Sequence, residues 1–271
     1  MKKNSNILVL SYIHNGGEWI AVQRLIKKTK EISPILNFYL IGYTDGTKIS
    51  EPCFKKVIYV ESKIIQPPFS FLKKWVVDFL HIRQALKSLL NQINKLDIVL
   101  VSHYLMIFPI YTIAKMRNKK LIFLFHGTKS SLIKKISDID SRKFMIILLE
   151  RLAILLSSSI VVPSLFARDY VNSLINPLGK LKRFYIVPNY VDDEFFRIYS
   201  KKSLIAVKKK LNISLEDKII LYSGRIVENK GLEELIVAFN TFLSAKENLR
   251  IVIAYPESSS NLNLLNQLKI K

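Results

Sequence analysis

KIILYSGRIVENKGLEELIVAF, residues 218–239, holds the organisation of the chain in one short stretch. A strand-like run at 218–222, apolar from Ile219 on, stops at Ser223-Gly224-Arg225, and a short polar loop then reaches Lys230-Gly231. A helix follows in which Leu232, Leu235, Ile236 and Phe239 fall at i, i+3, i+4 and i+7, a single inward stripe. Strand, glycine turn and amphipathic helix make one βα unit of a parallel sheet. The same geometry suits a diphosphate. Gly224 lets the chain turn tightly, Arg225 and Lys230 set two cations at the carboxyl end of the strand, and free N–H groups at the helix start face an anion. An ordinary βα turn with exposed basic residues fits these letters equally well, so phosphate binding by the three is an expectation.

Upstream the same alternation repeats. Strands are expected at 7–12, 35–41, 56–60, 97–101, 121–125, 159–162 and 184–187. Helices are expected after Gly16-Gly17 and at 71–94, 105–117, 141–156 and 164–175, with 42–52 read as turn-rich. Gly16 and Gly17 stand where the first strand must turn into its helix, a place that favours glycine on conformational grounds alone. These elements read as one doubly wound α/β domain over residues 1–190. A linker with Pro188, Asn189, Asp192 and Asp193 leads to a second set: helix 204–211, strand 218–222, helix 231–243, strand 249–254 and helix 261–269. Two parallel strands expose a sheet edge and bury little, so residues 191–271 are expected to be a partial second domain.

The totals bound the partners. Lys and Arg number 42 against 21 Asp and Glu, a net charge of +21. Residues 1–200 hold 30 and 14 of these, and residues 201–271 hold 12 and 7. Such a field favours anionic partners, although lysine-rich codon usage on solvated faces gives the same excess. Cys53 is the only cysteine, which excludes an internal disulfide and a multi-cysteine zinc site and fits a reducing cytosol. The longest uncharged stretch, residues 98–114, contains His103 and Pro109 and reads as strand, turn and helix rather than a membrane span. With no helix-turn-helix, RNA-binding aromatic or zinc pattern, specific nucleic-acid binding is not expected.

Residues 218–239 resemble the donor-phosphate motif of glycosyltransferase family 4, in which a strand is followed by Gly-Arg, a short loop, Lys-Gly and an apolar helix. Four further stretches agree in order: SYIHNGGEWIAVQRL with its double glycine and following Glu, LDIVLVSHYL, LIFLFHGT, and ERLAILLSSSIVVPSLFARDYV followed by FYIVPNYVDDEFF. The resemblance implies the GT-B type: two Rossmann-like doubly wound parallel-sheet domains, the second incomplete here. It implies a retaining glycosyltransferase moving a sugar from a nucleoside-diphosphate sugar to a cell-surface polysaccharide, a lipopolysaccharide or a lipid-linked acceptor. Arg225 and Lys230, with Gly224, would hold the donor diphosphate, and the backbone at Gly16 and Gly17 would approach the phosphates or the acceptor. His126 would stand at a strand end beside the transferred sugar, where a plain strand-end histidine is the other reading. His14 and His103 rank as structural or acceptor-side. No metal and no cofactor beyond the nucleotide-sugar co-substrate are implied.

The setting implied is cytoplasmic, with peripheral contact to anionic lipid at the inner membrane face through Lys73-Lys74, 115–120 and Lys134-Lys135 near Phe71 and Trp75. The competing expectation is that helix 71–94 simply covers the sheet. The chain departs from the family at Tyr190, where glycine is usual, and no two of its Glu residues are separated by seven residues as the family's pair is. A catalytically inactive remnant, or a module binding an acceptor or partner, is therefore the alternative. A nucleotide-sugar epimerase shares the fold and would show carboxylates at the site, which the sequence does not single out.

Overall fold

The computed structural model describes residues 5–13, 17–44, 52–61, 70–91, 95–127, 141–176, 178, 182–191, 193–227, 230–243 and 248–255. The expected helix at 261–269, His14 and Gly16 lie outside them. The chain divides into two compact units, Met1–Phe195 and Phe196–Lys271.

The first unit is built on a seven-stranded parallel sheet. Its strands are β1 (Ser5–Ile13), β2 (Leu36–Thr44), β3 (Phe54–Glu61), β4 (Ile98–Val101), β5 (Lys120–Leu124), β6 (Ser159–Val162) and β7 (Arg183–Ile186). They lie in the order β3-β2-β1-β4-β5-β6-β7, so the direction of winding reverses between β1 and β4. The five inner strands are mostly apolar because both faces are covered, whereas the edge strands β3 and β7 carry exposed and charged positions. On one face Leu8, Leu10, Ile41, Val99, Val101, Leu121 and Phe123 pack with α2 (Ser70–Leu90), α3 (Ile107–Met116), α4 (Ser141–Leu156) and α5 (Leu165–Leu174). On the other, Ile7, Val9, Ile13, Phe38 and Leu40 pack with Trp19, Val22 and Ile26 of α1 (Gly17–Ile32). The alternation of Ile7/Leu8/Val9/Leu10 between two cores is the period-two signature of a strand buried on both sides.

Polar pins fix the ends. Asp97 accepts from the Asn6 N–H at 3.0 Å, tying the start of β1 to that of β4. Ser11 and Ser102 share a buried 2.8 Å hydrogen bond at the reversal point. Ser164 caps α5, its Oγ accepting from the Ala167 N–H at 3.1 Å.

Two local readings change. Residues 42–44 belong to β2 rather than to a turn, and an added Cβ on Gly42 would collide with the Ile13 side chain. Glycine is there for close strand approach. The helix expected at 105–117 opens as a 3₁₀ turn, Tyr104–Met106, before α3 begins at Ile107. Pro109 falls in the first turn of α3, where a missing N–H is tolerated.

In the second unit, α6 (Lys201–Lys210), β8 (Lys218–Ser223), α7 (Leu232–Leu243) and β9 (Leu249–Ala254) follow in order. Parallel β8 and β9 form a two-stranded sheet. A small core of Ile226, Leu232 and Ile236 joins α7 to Tyr222 and Ile253. Asp217, buried, accepts from Arg250 Nε at 3.0 Å.

Candidate functional site

A parallel sheet offers its carboxyl edge, and above all the point where winding reverses, as the place for a ligand. In the first unit β4 ends there in Val101, with Ser102, His103 and Tyr104 next, and β5 ends in Leu124, with Phe125, His126 and Gly127 next. Gly127 has φ +133°, a backbone that other residues adopt only with strain, so the chain turns directly after the histidine. α1 starts at Gly17, which brings Glu18 into its first turn. From α4 comes Glu150.

These residues line one cavity of about 170 Å³: Glu18, His103, Tyr104, His126 and Glu150 are its polar walls. Glu150 is only 3% exposed. The His103 ring stacks on Tyr104 at 4.6 Å and lies 6.1 Å from Tyr12, which in turn sits 5.5 Å from Tyr43. A row of rings thus crosses the carboxyl edge from β2 to β4. Nε2 of His126 is buried and has no hydrogen-bond partner among the described residues. Burial lowers the His126 imidazole to about 4, so it is neutral near pH 7. Burial, and then the nearby Glu150 charge, pushes the Tyr104 phenol up to about 12 and keeps its proton in place. His126 also borders a larger cavity of about 450 Å³ with an apolar lining that includes Leu25, Phe125, Val161 and Pro188.

In the second unit the 218–239 segment folds as a strand, turn and helix. The Gly224 N–H donates to the Ala254 carbonyl at 3.0 Å, and Tyr222 Oη donates to the Arg225 carbonyl at 3.0 Å. This frames the turn from both sides while Ile226 plugs the core. Arg225 and Lys230 are both exposed, and Gly231 has φ +69° just ahead of α7. Glu233 and Glu234 also stand in the first turn of α7, and their charge partly offsets the pull of the helix start on an anion.

No family model and no curated protein sequence matches this chain. Solved structures do. Sucrose-phosphate synthase from Thermosynechococcus elongatus superposes with a TM-score of 0.69 at 14% identity, over 97% of this chain and 66% of that one. A glycosyltransferase from Rickettsia africae gives 0.66 at 16%, over 99% and 64%. Anabaena HepE, in complex with UDP and glucose, gives 0.65 at 12%, over 97% and 64%. The fold is of the GT-B type. The chain spans just under two thirds of the length of these structures.

Of the residues singled out in the sequence, His126 lies in the cavity of the first unit and Gly17 opens α1. Gly224, Arg225 and Lys230 lie together on the turn of the second unit. The structure adds Tyr104 and Glu150, and it sets Glu18, the glutamate after the double glycine, and His103 on the same cavity wall. Two carboxylates, Glu18 and Glu150, therefore stand at the sheet edge. Glu150 had a signal of its own: it shares a helical face with Ile146, Ala153 and Ile154, so helical spacing puts a charge on the buried stripe.

Proposed function

We propose that this chain belongs to a nucleotide-sugar-dependent glycosyltransferase of the family 4 kind, retaining in stereochemistry. Its first unit takes the acceptor, and its second anchors the donor diphosphate at Gly224, Arg225 and Lys230. The observation that carries the reading is the neutral, buried His126 at the carboxyl edge beside the winding reversal, in the fold in which HepE holds UDP and glucose. An uncharged imidazole can donate one hydrogen bond or accept one at a sugar hydroxyl without repelling a developing oxocarbenium charge. Arg225 offers a planar fork to phosphate oxygens, and Lys230 adds a point charge as the diphosphate leaves. The acceptor in this reading is a cell-surface glycan or a lipid-linked sugar, reached from the cytoplasmic side.

UDP binding to the 271-residue chain, measured by calorimetry, tests the donor side. Arg225→Ala should weaken UDP by about 1.5–3 kcal/mol, the value of hydrogen bonds to a charged group, and Lys230→Ala by less. Unchanged binding in Arg225→Ala removes the phosphate role.

Glu18 and Glu150 favour a second reading, in which carboxylates beside His126 move a proton on the sugar of a nucleotide-sugar, as an epimerase requires. Deuterium from solvent entering the sugar carbon skeleton without any acceptor would select it. Sugar transfer without wash-in selects the transferase.

A further inference from the structure

Tyr222 stands on the turn of the second unit with a hydroxyl that the donor anchor does not use. It is the last residue but one of β8 and half-buried, and its ring packs on the small core of Ile226, Leu232 and Ile236. The hydroxyl reaches past Gly224 and donates to the Arg225 carbonyl at 3.0 Å. The same carbonyl accepts from the Val227 N–H at 3.1 Å. Both lone pairs of that oxygen are then engaged, and the peptide after Arg225 is held from two directions. Ile226, at the far end of this peptide, is fully buried. Arg225 therefore presents an exposed side chain from a backbone that is fixed on either side.

Gly224 shows what lies beside this clamp. Among the described glycines, Gly127 and Gly231 have a left-handed φ and Gly224 does not. The nearest atoms to a Cβ built on Gly224 all belong to Tyr222, with Oη at 3.4 Å and Cζ at 3.6 Å. These are ordinary contact distances, so neither backbone strain nor crowding calls for glycine at this position. The missing side chain leaves the backbone beside Arg225 open to an approaching ligand. The phenol proton is committed to the carbonyl, so Tyr222 acts on such a ligand through Arg225 and not by touching it. An arginine fork binds phosphate oxygens well only when it arrives correctly aimed. On an exposed turn that ordering opposes binding, and fixing the backbone beforehand removes part of the cost.

We propose that Tyr222 is a positioning residue for the diphosphate: its hydroxyl locks the peptide after Arg225, so that the guanidinium meets the phosphate oxygens already oriented. The inference rests on the donor reading above, and it can fail while that reading stands.

Phosphorus NMR titrations of the 271-residue chain with UDP and with inorganic pyrophosphate test it. Tyr222→Phe keeps the ring in its core contacts and removes only the hydroxyl, so the fold is retained. Binding of both probes should weaken about fivefold, the net contribution of one neutral hydrogen bond. The effect should persist in a Lys230→Ala background and vanish in an Arg225→Ala background, because the hydroxyl acts through Arg225. Weakening of equal size in the wild-type, Lys230→Ala and Arg225→Ala backgrounds would make Tyr222 a brace of the fold alone and overturns the proposal. Unchanged binding in Tyr222→Phe overturns it too, and leaves the donor reading standing as long as Arg225→Ala weakens both probes. A wild-type chain that binds neither probe, or an Arg225→Ala chain that binds them as tightly as the wild type, sinks the donor reading and this inference with it.

Discussion

His126 is held neutral by its surroundings, and that has a price in acid. The unfolded chain takes up the imidazole proton near 6.5, while the folded chain does so only near 4. Between those values the unfolded state binds more protons, so stability rises with pH across the window and is lost as pH falls through it. The whole shift corresponds to about 3 kcal/mol at most. Urea denaturation at pH 7 and pH 4.5 should show that loss in the wild-type chain and a smaller one in His126→Gln. An equal acid loss in the two chains would mean that another group sets it. His126 was legible because a histidine followed by glycine ends a buried apolar strand. Glu150 was harder to read, because a charge after FMIILL looks like the end of an apolar run although its helical spacing matches Ile146, Ala153 and Ile154. The packing of α4 shows that the spacing is the better guide.

Among the elements, the strands and helices of the first unit could be read because most strands are short apolar runs rich in β-branched and aromatic residues, set off by turns or amphipathic helices. Boundaries moved by a few residues where the physics is not local. Gly42 is the clearest case: glycine after an apolar run reads as a turn, yet it lets β2 pass close to Ile13 of β1. Ile13 is fully buried, so its side chain would have to shift within a packed core to admit the new methyl. Gly42→Ala should therefore destabilise the first unit by about 1–3 kcal/mol, the usual cost of overpacking. A thermal melt checks it, and a neutral result would show that the β1–β2 pair can slide apart. The turn at 223–231 is a local reading, since Gly224, Arg225 and Lys230 are neighbours in sequence and need no tertiary information to come together. The row Tyr43–Tyr12–His103–Tyr104 needed the strand order, which spacing along the chain does not contain.

For the molecule as a whole, the net charge of +21 stops being anonymous once it has a place. Among the described residues no helix is long and apolar enough to cross a membrane. The side chains of Phe71, Lys73, Lys74 and Trp75, and all of Lys134-Lys135, lie outside the described residues. The described part of α2 does cover the sheet, through Ile82, Leu86 and Leu89. Its outer side, however, forms a groove of about 630 Å³ with α3, in which Leu80 and Met116, 56% and 86% exposed, sit among Arg83, Lys87 and Arg117. Exposed apolar groups beside cations are a surface that anionic lipid would attract, and this gives the expected peripheral contact a testable place. Each basic residue near such a surface contributes about 1 kcal/mol. Replacing Arg83, Lys87 and Arg117 with Gln together should then weaken binding to phosphatidylglycerol vesicles roughly a hundredfold in low salt. The wild-type chain should ignore phosphatidylcholine vesicles and should detach as salt shortens the screening length. Sedimentation with both vesicle types decides the matter. If the triple variant binds as tightly as the wild type, the attraction belongs to the overall charge and not to the α2–α3 groove.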